Sequence, residues 1–171
     1  MIKAIFAHLT ILYTVGGKLM KLEKMSAKDY EKYIMGTIKE YAAEKEAAGA
    51  WGAGEALRLA KEEYQRLLPD DLKTKGNYFY TFSDTQKTIG YLWFAKNPVQ
   101  EDDAFIYDFA IDSEFQNRGF GTQAMAKIFV EARNLGFKKI GLHVFGSNQR
   151  AIHVYQKLGF ITTDITMRRE L

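Results

Sequence analysis

The stretch Asp108–Ala132 reads DFAIDSEFQNRGFGTQAMAKIFVEA. It begins as an apolar strand, passes through a polar loop holding Gly119 and Gly121, and ends in a run whose apolar residues recur at helical spacing. A glycine loop feeding a helix start aims backbone N–H groups at one place and adds the positive end of the helix dipole. Such a place attracts an anion, and a phosphate group above all. Taken alone, GFGTQA also satisfies the GxGxx(G/A) pattern of dinucleotide-binding folds. Against that pattern, DSEFQNR separates the strand from the glycines, most of the chain precedes the unit, and KKIGLHVF lacks the acidic residue expected roughly 20 positions on. No GK(S/T) follows, so a P-loop is excluded. Two glycines that merely turn the chain remain an open alternative.

Working upstream, AFIYDFAI (104–111) is apolar for its whole length, which predicts a strand buried on both faces, with Asp108 as its one internal carboxylate. Before it, GNYFYTFSDTQKTIGYLWFAKNP (76–98) gives two aromatic and β-branched runs around a polar turn, a hairpin pattern. KLEKM (21–25) is a short strand candidate. Ser26 with Asp29 three places on resembles a capping box, and the helix it opens carries Tyr30, Tyr33, Ile34, Ile38 and Tyr41 on one side. Gly49, Gly52 and Gly54 interrupt the pattern before a second helix, Glu55 to Leu68, which stops at Pro69.

Downstream, the helix from about Gly121 to Asn134 buries Ala124, Met125, Ile128, Phe129 and Ala132 and closes at Gly136. KKIGLHVF (138–145) is the next strand. SNQRAIHVYQKLGF (147–160) is a short helix capped by Ser147 or Asn148, with Tyr155 on its inner side and His153 off it. FITTDITMRREL (160–171) is expected to close the chain as a strand. The order βαα-βββ-α-β-α-β is α+β with a mixed sheet.

With 171 residues, 47% of them hydrophobic, the chain suits one compact domain. A net charge of +3 from 24 basic and 21 acidic residues, without a basic run, argues against nucleic acid as main partner. The lack of cysteine excludes disulfides, thiolate metal sites and a cysteine nucleophile, and fits a reducing, cytoplasmic setting. The apolar stretch Ala4–Val15 is too short to span a bilayer comfortably, and TVGGK is a poor cleavage site. Residues 1–19 are therefore expected to be an ordered extension that packs on the domain or on a second copy, and residues 20–171 the domain itself, with a homodimer as one outcome.

AIDSEFQNRGFGTQAM (110–125) resembles the acyl-coenzyme A signature of the GNAT N-acetyltransferase superfamily, (Q/R)xxGx(G/A), through Gln116, Gly119 and Gly121. NQRAIHVYQKLGF is similar to that family's second motif through Asn148, Ala151, Tyr155, Gly159 and Phe160, in the family's order. The resemblance covers roughly Met20 to the end. It implies a three-layer α+β fold: a mixed, mostly antiparallel twisted sheet with helices on both faces, splayed between its fourth and fifth main strands. It also implies acetyl-coenzyme A as acyl donor, no metal, and an amine-bearing substrate as partner, with neither nucleic acid nor membrane involved.

Residue by residue, the resemblance places the coenzyme A pyrophosphate on backbone N–H groups of Gln116, Asn117, Arg118, Gly119, Phe120, Gly121 and Thr122. The Gln116 side chain and the Thr122 hydroxyl are extra donors. Arg118 and Arg150 meet the ribose phosphate or remain solvated surface charges. The strand end at Ala110 and Ile111 pairs with the pantetheine arm, and the Ile111 N–H polarises the thioester carbonyl. Asn148 binds the pantetheine amide while also serving as a helix cap. Tyr155 resembles the family's general acid, a phenol still protonated at neutral pH; a core tyrosine is the alternative. Asp108 is the candidate for orienting or deprotonating the amine, because a charge inside an apolar strand is costly unless it is paired or functional. Phe105 stands where the histone enzymes carry a catalytic glutamate. The acceptor pocket is expected between the two early helices, their turn with Glu44, Glu46 and Glu55, and the strand carrying Tyr91, Trp93 and Phe94. The implied activity is direct acetyl transfer to a primary amine of a small molecule or peptide by an acyltransferase. A non-catalytic acyl-coenzyme A sensor is the runner-up, and a dinucleotide oxidoreductase the third possibility.

Overall fold

The computed structural model describes residues 14–15, 18–84, 87–167 and 169. Two short strands, β1 (Thr14–Val15) and β2 (Lys18–Leu19), pair antiparallel. The rest of the expected N-terminal extension lies outside the described residues.

Strand β3 (Lys21–Lys24) leads into helix α1 (Ala27–Ala47). Ser26 caps that helix: its Oγ accepts from the Asp29 N–H at 3.1 Å and donates to Asp29 Oδ2 at 2.6 Å, which satisfies one of the orphan donors of the first turn. Helix α2 spans Ala56–Leu67. The two helices meet through small residues, with Ala42, Ala56 and Ala60 fully buried and Tyr41 and Trp51 packed against them.

Strands β4 (Asn77–Ser83), β5 (Thr88–Lys96) and β6 (Asp103–Ile111) form an antiparallel meander. Helix α3 (Phe120–Asn134) then returns the chain to β7 (Lys139–Leu142), which runs parallel to β6, and helix α4 (Gln149–Lys157) follows. The main sheet has the order β3-β4-β5-β6-β7. It is mixed and mostly antiparallel, as expected.

Each face of the sheet has its own apolar cluster. Tyr80, Phe82, Ile89, Leu92, Phe94, Ala104 and Ile106 pack against Phe120, Ala124, Met125 and Ile128 of α3. On the other face Phe79 and Trp93 pack against Tyr30 and Tyr33 of α1 and against Leu68. Phe94 therefore belongs to the α3 side, and of the three expected acceptor-pocket aromatics only Tyr91 and Trp93 face α1 and α2.

The fourth and fifth main strands, β6 and β7, pair only from Asp103 to Ile106. Beyond Ile106 the β6 edge on that side has no ladder partner among the described residues, so the sheet is splayed where the family resemblance places the splay. Just there β6 also carries a bulge: Trp93 stands opposite Asp108 and Phe94 opposite Ile106, leaving Tyr107 as an extra residue. The bulge reverses the alternation of the strand. Ile106 and Phe109 both pack on the α3 side, whereas strict alternation from Ile106 would have turned Asp108 into that apolar cluster. Instead Tyr107 stacks on Trp93 with ring centroids 4.7 Å apart, and Asp108 reaches Tyr33 of α1.

The expected closing strand differs. Residues 160–167 join no strand, and Ile161, Ile165 and Met167 are exposed. Their β-favouring composition acts only through cross-strand neighbours. The nearest candidate edge, β7, ends at Leu142 rather than running to Phe145.

Candidate acetyl-transfer site

The loop between β6 and α3 is held by its own side chains. Gln116 Nε2 donates to the Ile111 carbonyl at 2.8 Å, and the Gln116 N–H donates to Ser113 O at 3.3 Å. The Gln116 N–H and one of the two hydrogens of its side-chain amide are thus engaged inside the protein, and the side chain folds the loop back onto the strand end. Past it, Asn117 (φ 60°) and Gly119 (φ 79°) both adopt the left-handed conformation, flanking Arg118. Such alternation directs successive N–H groups into one concavity suited to an anion.

Among the described residues, no hydrogen bond of ordinary distance and angle engages the N–H groups of Asn117, Arg118, Gly119, Phe120, Gly121 or Thr122, which follow a tight turn. The first bond of the α3 ladder is Gln123 N–H to Gly119 O at 3.2 Å, and Gly119 offers no side chain as a cap. Phe120 buries its ring in the core against Phe115, so only its backbone faces the loop. A Cβ built on Gly121 would meet nothing within 4 Å. The residues expected to hold a pyrophosphate therefore supply six unspent donors beside open space, at the positive end of a 15-residue helix.

Helix α4 comes to the same loop. The Arg150 guanidinium donates to the Asn117 Oδ1, tying the left-handed residue to α4. Arg118 is exposed. Asn148 caps α4, its Oδ1 accepting from the Ala151 N–H at 3.1 Å, which leaves the Nδ2 donors of the side chain for a ligand. Tyr155 lies half-buried with its ring 5.6 Å from Phe160, and His153 is exposed. Burial, and then the charge on Asp108, raise the Tyr155 hydroxyl above the usual phenol range. It holds its proton throughout the physiological range.

The strand end divides unevenly between its two sides. Asp112 N–H donates to Ile89 O at 2.9 Å. With Gly90 opposite Ile111 and Tyr91 opposite Ala110, antiparallel alternation then gives the ladder bonds to Ala110 and turns the Ile111 N–H away from β5 into the splay. Of the two residues expected to receive the pantetheine arm, Ile111 presents its backbone to the gap, and Ala110 spends its own on β5. Gly90 is required for this approach, since a Cβ there would lie 2.3 Å from the Ala110 carbonyl oxygen.

Asp108 lies on the part of β6 that β7 leaves unpaired, and its surroundings are aromatic. The Tyr33 hydroxyl donates to its Oδ2 at 3.0 Å, and Tyr33 packs on Tyr91 with centroids 4.7 Å apart. Burial raises the Asp108 carboxyl above the ordinary carboxylate range; hydrogen bonds from Tyr33 and the Phe109 backbone pull it down, and the charges of Glu40 and Glu44 push it up. Its own charge contributes to raising Tyr33, Tyr64 and Tyr91, the last to about 12, though burial is the largest cause for each. Asp108 is thus the common neighbour of tyrosines from α1, α2, β5 and α4. Of the acidic residues expected around the helix turn, Glu44 acts on this site, Glu55 pairs with Arg58 at 3.2 Å on the surface, and Glu46 is exposed. Sequence reading did not single out Glu40 or Tyr33. The only local trace of Tyr33 was its place on the inner face of α1, which is equally the mark of a core residue.

Among the described residues no helix is long and apolar enough to cross a membrane, and no group of three or more His, Cys, Asp or Glu is arranged to hold a metal.

Comparison with known proteins agrees with this geometry. The model of the acetyltransferase (GNAT) family matches residues 34–160. YycN, an uncharacterized N-acetyltransferase of Bacillus subtilis strain 168, is 36% identical over 152 residues, covering 88% of this chain and 97% of its own. YdgE, another uncharacterized N-acetyltransferase of that strain, is 30% identical over the same length and coverage. The crystal structure of YycN superposes with a TM-score of 0.79 at 34% identity, over 89% of this chain and 98% of its own.

Proposed function

Because the chain belongs to the GNAT acetyltransferase family, we propose that it moves an acetyl group from acetyl-coenzyme A to a primary amine of a small molecule or peptide, by direct attack in a ternary complex. The observation that carries this reading is the row of six unspent N–H groups from Asn117 to Thr122 beside a splayed strand end.

In this reading those N–H groups bind the pyrophosphate of the acyl donor, with the Thr122 hydroxyl adding a donor and Arg118 and Arg150 close to the ribose phosphate. Asn148 Nδ2 donates to a pantetheine carbonyl. The Ile111 N–H, aimed into the gap, hydrogen-bonds the thioester oxygen and stabilises the negative charge that builds there as the amine attacks. Holding both reactants in one cleft replaces a bimolecular encounter with an oriented one. Asp108 receives the proton that the amine sheds as its bond to the acetyl carbon forms, directly or through a water. Burial helps here, since a carboxyl held above its ordinary range is a better base near neutral pH. Tyr155 donates its hydroxyl proton to the sulfur as the carbon–sulfur bond breaks. The cytoplasm, as the setting of a cysteine-free chain, completes the proposal.

The test is a screen of amines monitored by release of free thiol, paired with calorimetric titration of coenzyme A. Tyr155→Phe keeps the ring and its contact with Phe160, so coenzyme A affinity should hold within about twofold, whereas turnover should fall by roughly 10²–10⁴. Coenzyme A binding without thiol release for any amine would replace this reading with an acyl-coenzyme A sensor. No binding at all would remove both.

A further inference from the structure

We infer that Tyr33 is a positioning residue for acetyl transfer: its hydroxyl, fixed by α1 packing, holds the Asp108 carboxylate toward the splay and keeps it ionised. The inference rests on the reading of Asp108 as the group that accepts the proton of the amine.

The bulge in β6 brings Asp108 onto the α1 side but leaves it in an apolar and aromatic setting, where a carboxylate favours its neutral form. A neutral carboxyl accepts no proton from an attacking amine. Something must favour the ionised form, and the groups facing Asp108 from every packed element can be named. Helix α1 offers Tyr33, Glu40 and Glu44, α2 offers Tyr64, β5 offers Tyr91, and α4 offers Tyr155. The two glutamates oppose ionisation, and no cation stands among these groups. Among the described side chains, only Tyr33 makes a hydrogen bond to the carboxylate, 3.0 Å to Oδ2, with the Phe109 backbone N–H as the second donor.

Tyr33 is built for constancy. The residue is 8% exposed and belongs to the α1-side core with Tyr30, Phe79 and Trp93. Its ring packs between Phe79 at 6.3 Å and Tyr91 at 4.7 Å. Its own backbone carbonyl accepts from Thr37 Oγ1 at 3.1 Å. Burial keeps the phenol far above its usual range, so it donates at every working pH. A donor fixed on Oδ2 sets the plane of the carboxylate and leaves its remaining lone pairs for the amine. The interaction joins residues 75 positions apart, so the base is complete only when α1 has docked on the sheet.

Tyr33→Phe removes the hydroxyl and keeps the ring. With an amine acceptor found by the thiol-release screen, the acid limb of kcat/KM against pH should move up by about one to two units, because the ionised carboxylate loses a charge-assisted hydrogen bond. At a fixed pH on that limb kcat/KM should fall by about ten- to a hundredfold, and it should recover on the plateau above the shifted limb. The affinity for coenzyme A, titrated on the same preparation, should stay within twofold and reports that the variant is folded. An unmoved acid limb in Tyr33→Phe, with Asp108→Asn inactive, would overturn the positioning role and leave Asp108 as base. Full activity of Asp108→Asn would overturn the base itself, a separate failure read on a separate variant.

Discussion

Replacing Gly121 by alanine sets folding and ligand binding against each other at one methyl group. Gly121 is the second residue of α3, its φ is not positive, and a Cβ there would touch nothing within 4 Å. For the free protein the substitution therefore brings only the helical preference of alanine, about 0.5–1 kcal/mol, or a rise in Tm of about 1–4 °C for a chain of this size. For the complex the same methyl group enters the space over the N–H groups of Phe120, Gly121 and Thr122. Losing one charge-assisted hydrogen bond to a phosphate costs about 1.5–3 kcal/mol, which corresponds to a roughly 10- to 150-fold weaker Kd. Calorimetric titration with coenzyme A and differential scanning calorimetry on one preparation measure both effects. A variant that melts higher and binds more weakly fits the reasoning. A variant that binds coenzyme A with the parental Kd would show that the open space is not where the diphosphate sits. Gly119→Ala provides contrast: at φ 79° a Cβ costs about 1–2 kcal/mol, so it should lower Tm as well as affinity.

Asp108→Asn should abolish most acetyl transfer while leaving Tm at neutral pH unchanged or higher. The folded-state carboxyl lies above its ordinary value of 3.8. Above 3.8 the unfolded chain has already released the proton that the folded one still holds, so stability falls as pH rises through that window. The asparagine removes this dependence, and Tm measured from pH 4 to 8 should flatten; an unchanged slope would refute the assignment. Ser26→Ala removes the cap of α1 and should cost about 1 kcal/mol, seen as a Tm lower by about 2–4 °C, with coenzyme A affinity unaltered. An equal Tm would mean that the Ser26–Asp29 contacts contribute nothing net.

What could be read from the chain beforehand was whatever is encoded locally. The Ser26–Asp29 cap, the turn-separated aromatic runs of β4 and β5, the Gly119–Gly121 loop and the Asn148 cap each depend on residues within a few positions of one another. The features that escaped are long-range. The extra residue at Tyr107 has no signature in AFIYDFAI, since a bulge is decided by how β5 and β6 match in register. With the bulge unseen, the environment of Asp108 was equally hidden, whereas the facing of Phe94 follows from plain alternation along β5, which sets Leu92 and Phe94 opposite Tyr91 and Trp93. Gln116 was a phosphate donor only by the family resemblance of its motif; the fold alone brings the Ile111 carbonyl within 2.8 Å of its side-chain amide. The segment after Phe160 has the composition of a strand, but a strand also needs an edge.

That single additional residue in β6 has an evolutionary corollary. On either side of it the strand obeys opposite parity rules, so residues 104 and 106 answer to the core beneath α3 while residue 108 answers to chemistry on the far side. Selection can rework the carboxylate and its tyrosine neighbours without disturbing the lipid-like interior one step away. A one-codon deletion of Tyr107 would restore strict alternation with Asp108 still turned to α1 and lose only the ring stacked on Trp93, whereas a one-codon insertion between Tyr107 and Asp108 would rotate the acid into that interior, so this strand should tolerate many replacements at its reactive end and no added residue.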